Sequence, residues 1–357
     1  MFVTSQTVRR KQIFTEITCV NFELSVKTAW YTIAPLVAIA LLIVFSAFYQ
    51  QPTPKQIEVL PWIVGLFFIG MPHGAADLAV LQSKKSGWRL FNTFFWYVVS
   101  MIGVLIAFIL TPTISLVGFL FLSLWHFGSS ENPTKPVEHG ISYEHLLMSF
   151  AKGGIVIGTP LAFWPTATSG VATELITLVE PARSLLGMPL LAHPIYQSSH
   201  IATTGIALLA IALCCWCFIF FHCAWNTKTL GMQKMLENCG VFITYALVGI
   251  LEIVSSPLFG IGIYFLAFHS WKQMPSISKH LASPSAEIHP VRQALIVHKA
   301  AMPLLIPTWI LLGGTWWWLS DTANFRDLAL LSLLVYLIVT PAHEVLCEWL
   351  STGRETA

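Results

Sequence analysis

Long apolar runs separated by short polar stretches repeat along all 357 residues of this chain. Many reach about 20 residues, the length of helix that crosses a hydrocarbon core. Ten candidate spans are predicted, at about 30–49, 59–82, 91–111, 113–126, 146–165, 201–222, 240–256, 258–271, 300–319 and 328–346. The fourth and eighth are short for a crossing, so tilted or re-entrant segments are expected there. Backbone polar groups in lipid must be satisfied within the segment. The pattern therefore predicts an all-α fold, a polytopic membrane helical bundle of about 8–10 transmembrane helices. A single integral membrane helical domain is expected over 29–349, between an N-terminal segment 1–28 and a tail 350–357. The longest connection, 167–200, carries Glu174, Glu180, Arg183 and several prolines, and an interfacial helix is expected around 174–186.

Composition agrees with the pattern. Residues are 55% hydrophobic and only 10% charged, where soluble domains carry about 25% charged residues. The polar first 28 residues hold Arg9, Arg10 and Lys11 and lack the apolar core of a cleavable signal peptide. Cys214, Cys215, Cys217 and Cys223 cluster in one apolar run, where buried thiols are packing residues rather than a disulfide framework. No nucleotide-binding glycine loop and no nucleic-acid motif is present. With the ten spans threaded in order, all 19 Lys and Arg except Lys55, Arg183 and Arg326 fall on one side. Cytoplasmic loops carry the Lys/Arg excess, so both termini are expected in the cytoplasm and the chain in the cell (inner) membrane.

The candidate chemistry is histidine-based. His73 and Asp77 lie at i and i+4 inside the apolar run 59–81, in Gly70-Met71-Pro72-His73-Gly74-Ala75-Ala76-Asp77. Ionisable groups are costly in lipid unless they are paired or used. The pair reads either as a metal-ligating histidine oriented by a carboxylate or as a helix kink with a packed histidine. In the threaded topology His73, His126, His222, His269 and His343 all fall in the cytoplasmic half of the membrane. Imidazoles converging from several helices suit iron, copper or zinc; the alternative is that each sits at the interface with its polar edge in water. Glu252 is a further deep carboxylate, read as accepting a hydrogen bond from a group behind the ligands or as held neutral by its apolar surround. Trp125, Phe127, Tyr264, Phe265, Phe268 and Trp271 flank the histidines and either line an apolar tunnel or pack between helices.

Three motifs together resemble the Brp/Blh-type carotene dioxygenases of microbes. They are Pro72-His73-Gly74-Ala75-Ala76-Asp77, Trp125-His126-Phe127-Gly128, and Tyr264-Phe265-Leu266-Ala267-Phe268-His269-Ser270-Trp271-Lys272. Weaker similarity at 153–165 and 340–350 extends the match over most of the chain. The resemblance implies an integral membrane non-haem oxygenase that uses Fe(2+) and O2 to split beta-carotene, or a related carotenoid, at its central double bond. The product would be retinal, with a microbial rhodopsin as a candidate acceptor. It also implies that His73, His126 and His269 ligate the iron, with Asp77 orienting His73. The family pattern has a fourth histidine one turn after His269, where this chain has Gln273. Gln273 would then ligate weakly or through water, His343 or His222 would complete the site, or the iron would be lost. The last case would leave a carotenoid or retinal carrier using the same pocket. A proton-coupled transporter built on His73, Asp77 and Glu252 is a third class, but it leaves the Trp-His-Phe-Gly motif unexplained.

Overall fold

The computed structural model describes residues 29–48, 55–130, 143–189, 197–225, 229–281, 289–319 and 324–351. The expected N-terminal segment 1–28 and residues 352–357 of the expected tail lie outside the described residues. Among the described residues the chain is helical, with no strand. The helices are α1 (Trp30–Phe48), α2 (Lys55–Lys84), α3 (Gly87–Leu110), α4 (Pro112–Ser129), α5 (Tyr143–Phe163), α6 (Pro165–Thr177) and α7 (Glu180–Leu185). They continue with α8 (Ser198–Trp225), α9 (Thr229–Val254), α10 (Pro257–Tyr264), α11 (Trp271–Leu281), α12 (Pro290–Leu319) and α13 (Phe325–Ser351). Nine of these, α1–α5, α8, α9, α12 and α13, are long and apolar enough to cross a membrane. The chain is thus a multi-pass helical membrane bundle. Large apolar side chains on the outward faces, such as Phe95, Ile102, Phe121, Ile211 and Ile310, are exposed. In water such a surface would drive aggregation, whereas in lipid it is the expected one.

The expected span 258–271 is not one of the nine. It is α10 followed by a π-helical segment, Phe265–Ser270, and then α11. The helix expected around 174–186 is likewise divided, into α6 and α7. Pro181 has no N–H to donate back to the carbonyl of Thr177, which ends one helix and starts the next. Arg183 of α7 is buried and donates to the carbonyls of Ile109 at 2.6 Å and Leu110 at 3.3 Å, closing the C-terminus of α3. Arg326 joins Glu58 at 3.0 Å and Glu174 at 2.9 Å, tying α13 to α2 and α6. Two of the three cations that topology sets apart are therefore used as struts.

α5 is the centre of the packing, held between α4 and α8. Without an aqueous hydrophobic drive, helices in lipid associate by close fit, and small residues let backbones approach. A Cβ placed on Gly128 would meet the Ser149 carbonyl oxygen at 2.0 Å, and one on Gly153 would meet that of Leu124 at 1.9 Å. On the other flank, a Cβ on Gly205 would lie 2.2 Å from the backbone nitrogen of Ala162. These contacts fix the end of α4, and His126 with it. Gly153→Ala must push α4 and α5 apart, so the midpoint of thermal unfolding in detergent is expected to fall. Overpacking typically costs about 1–3 kcal/mol, and contact with backbone rather than a mobile side chain puts this case at the upper end.

Candidate functional site

The motif around His73 does not form a continuous helix. Pro72 lacks the N–H that would bond the Phe68 carbonyl, and the chain leaves helical geometry at Phe68-Ile69 before resuming at Gly70–Ala75. A new helix begins at Asp77. Trp309 of α12 donates to the Leu66 carbonyl at 3.1 Å beside this break. His126 comes from the last turn of α4, and His269 from the π segment. Trp62 donates to the Leu258 carbonyl at 2.8 Å and Tyr264 to that of Phe127 at 3.3 Å, which sets α10 against α2 and α4. Pro341 lies inside α13 shortly before His343 and Glu344, and the helix continues through it. π turns of this kind recur at functional sites.

These four segments bring His73, His126, His269 and His343 together, at relative exposures of 4%, 4%, 0% and 5%. Ring centroids lie 5.2 Å apart for His73 and His269, 5.2 Å for His73 and His343, 4.5 Å for His126 and His269, and 5.5 Å for His126 and His343. Each Nδ1 turns to an oxygen. His73 Nδ1 donates to the Gly70 carbonyl at 2.5 Å, and His126 Nδ1 to the Glu344 carboxylate. His343 Nδ1 donates to Asp77 Oδ2 at 2.8 Å, an oxygen that also accepts from the Tyr97 hydroxyl at 2.8 Å. His269 Nδ1 lies 3.3 Å from the Ser130 hydroxyl.

The Nε2 atoms are left over. His73 Nε2 is buried with no hydrogen-bond partner among the described residues. Nε2 of His126 and of His269 face each other at 2.9 Å, and His343 Nε2 is 3.4 Å from the Cys347 sulfur. A ring whose Nδ1–H is donated presents a lone pair at Nε2. Metal-binding histidines show this division, with the far nitrogen on a carboxylate, carbonyl or hydroxyl. Among the described residues no three His, Cys, Asp or Glu side chains surround a common point in the arrangement that a bound ion imposes. The donor set itself fits a divalent first-row metal: neutral imidazoles, an orphaned buried nitrogen, and two nitrogens in close opposition that need a cation or a proton between them.

The placement of the expected residues differs in part from the sequence reading. His73, His126 and His269 meet as the motifs imply. Asp77 is paired with His343 rather than with His73, because the helix restarts at Asp77 and the i, i+4 spacing no longer stacks the two. Gln273 sits half-buried on α11 and does not line the cavity into which the histidines face. The wide π turn that carries His269 disrupts the i, i+4 register between them. His222 ends α8 elsewhere, 3.1 Å from the Tyr143 hydroxyl and 3.9 Å from Glu144. Glu252 is fully buried in α9, outside the cluster and the cavity wall. The sequence reading gave no role to Glu344, Tyr97 or Ser130. A carboxylate beside a histidine within an apolar span signalled the first; nothing in the local sequence signalled the other two.

The cluster lines a cavity of about 830 Å³ walled chiefly by apolar side chains, among them Phe94, Leu105, Phe119, Leu208 and Leu312. Of the flanking aromatics, Phe127 and Phe265 line it; Trp125, Tyr264, Phe268 and Trp271 do not. Ile102, Val117, Phe121 and Leu311 belong to the wall and are also exposed, so the cavity reaches the lipid-facing surface along α3, α4 and α12. Size and lining suit a large apolar ligand.

Fold and site define a multi-pass helical membrane protein with a buried four-histidine cluster in the wall of an apolar cavity. The family model described as beta-carotene 15,15'-dioxygenase matches residues 64–351, and the chain belongs to that family, which makes it an enzyme of the carotenoid dioxygenase class. A beta-carotene 15,15'-dioxygenase from Uncultured marine bacterium 66A03 is 23% identical over 290 residues, which cover 79% of this chain and 90% of the relative. No solved structure matches the chain. Because His222 stands apart from the cluster, His222→Ala is expected to leave carotenoid cleavage within about twofold of wild type, measured as pigment loss in a carotene-accumulating bacterium; surface changes of this kind usually have small effects.

Proposed function

We propose that this protein is a membrane non-haem iron dioxygenase that splits beta-carotene at its central double bond with O2, giving two molecules of retinal. One observation carries the reading: four buried histidines from four separate segments each turn Nδ1 to an oxygen partner, and no Nε2 is turned to an oxygen. His73, His126, His269 and His343 would hold Fe(2+) through Nε2, and the iron would supply the binding and activation of O2. His343 thereby takes the fourth place that the family pattern gives to the position of Gln273. The double bond and one O2 become two carbonyl groups, so atoms and electrons balance without an external reductant.

The chain's own residues do the remaining work. Glu344 and Asp77 fix the tautomer and the orientation of His126 and His343, and Tyr97 braces Asp77. The apolar wall admits a hydrocarbon from the bilayer, excludes water, and sets which double bond lies beside the histidines. The family and the named relative support beta-carotene as the substrate. With both termini cytoplasmic, the cluster lies in the inner half of the cell membrane, and product leaves through the same lipid-facing edge.

The reading is tested in a bacterium that accumulates beta-carotene, with retinal measured by chromatography. Wild type is expected to form retinal, and His73→Ala and His343→Ala to form none. Gln273→His is expected to remain near the wild-type rate. Retinal from Gln273→His alone would instead mean that the fourth ligand belongs at 273. Asp77→Asn and Glu344→Gln keep shape but weaken the hold on the imidazoles. Each is expected to lower iron affinity about 10–100-fold, read by iron content of the purified protein after dialysis against a graded chelator.

A further inference from the structure

Tyr336 lies on α13 two helical turns before His343, and so on the same face. Its ring packs against Phe265 at 4.8 Å and Trp62 at 6.0 Å and forms part of the cavity wall. Its hydroxyl is buried with no hydrogen-bond partner among the described residues. Thr340 uses the Tyr336 carbonyl and leaves the phenol alone. The hydroxyl is lodged at the break in α2: it lies 2.9 Å from where a Cβ of Gly70 would be, and 3.7 Å from that of Gly65. Gly70 is the residue whose carbonyl holds His73, and Phe265 touches the rings of both His73 and His269. The unpaired phenol therefore stands beside the histidine cluster.

A buried donor without an acceptor destabilises the fold, and a wall built only for a hydrocarbon would do better with phenylalanine. A carotene brings no acceptor. Its cleavage creates one, the aldehyde oxygen, on the carbon that lay nearest the histidines. The Gly70 carbonyl does not serve the phenol, which abuts the Cα side of that residue and has no acceptor there. We propose that Tyr336 is the binding residue for the aldehyde product, its O–H donating to the carbonyl oxygen as that oxygen appears. This rests on the dioxygenase reading above. The site then binds the oxygenated end of the product more strongly than the hydrocarbon, which favours the forward reaction and holds retinal until it leaves to lipid.

Purified wild type and Tyr336→Phe are titrated in detergent with retinal and with its hydrocarbon counterpart, in which a methyl group replaces the aldehyde. Binding is followed by tryptophan quenching and by the polyene absorption band. Wild type is expected to prefer retinal by about fivefold to tenfold, the worth of one net hydrogen bond, with the band shifted to longer wavelength. Tyr336→Phe is expected to lose both the preference and the shift while binding beta-carotene as wild type does. Equal wild-type affinity for the two ligands overturns the proposal without any variant, and so does an unchanged preference and band in Tyr336→Phe. Carotene cleavage by the same wild-type preparation reports separately on the dioxygenase reading. A preparation that forms retinal but shows no preference refutes the Tyr336 assignment alone; one that binds retinal through Tyr336 but cleaves nothing refutes the enzyme reading.

Discussion

The structure depends on keeping polar groups satisfied where no water can reach them. Four imidazoles, two carboxylates and a phenol are gathered inside a helical bundle whose outer surface is apolar. Each would be costly alone. They are tolerated because Asp77 serves both His343 and Tyr97, Glu344 serves His126, and the Gly70 carbonyl serves His73. With Ser130 beside His269, every Nδ1 faces an oxygen, whereas the Nε2 atoms face one another, the Cys347 sulfur or no partner. A set meant only to neutralise buried histidines would have no reason to divide the two nitrogens in the same way four times.

Helical breaks make the gathering feasible. A regular helix offers side chains along one stripe, with its backbone groups already paired. Here Pro72 opens α2 at Phe68-Ile69, and a π turn widens the segment carrying His269. Each break falls within a few residues of a histidine that points into the cluster. The rigid counterpart is the trio α4, α5 and α8, where glycines bring backbones into contact. That tight core holds the end of α4, so His126 is presented by a fixed element and His73 and His269 by irregular ones.

Much of this was legible in the chain. Length, hydropathy and the one-sided distribution of Lys and Arg gave a multi-pass bundle, and three motifs pointed to His73, His126 and His269. What was not legible depended on geometry that a regular-helix reading assumes away. Spacing of i, i+4 paired Asp77 with His73 and Gln273 with His269, and both pairings required an unbroken α-helix. The restart at Asp77 redirects the first, and the π turn disrupts the second. His343 could be named only as one of several candidates, because its partner Asp77 lies 266 positions away. Tyr97 and Ser130 carry no local signal, since a tyrosine or serine in an apolar span is ordinary until its partner is known.

The central claim is that four imidazole Nε2 atoms share one metal ion. X-ray absorption at the iron edge of the purified, active protein tests it most directly, because multiple scattering from imidazole rings counts histidine ligands. The account predicts a first shell of nitrogen and oxygen with scattering from four imidazoles, falling to three in His343→Ala. Fewer than four imidazoles in wild type, a sulfur neighbour from Cys347, or no bound iron in protein that still forms retinal would contradict it.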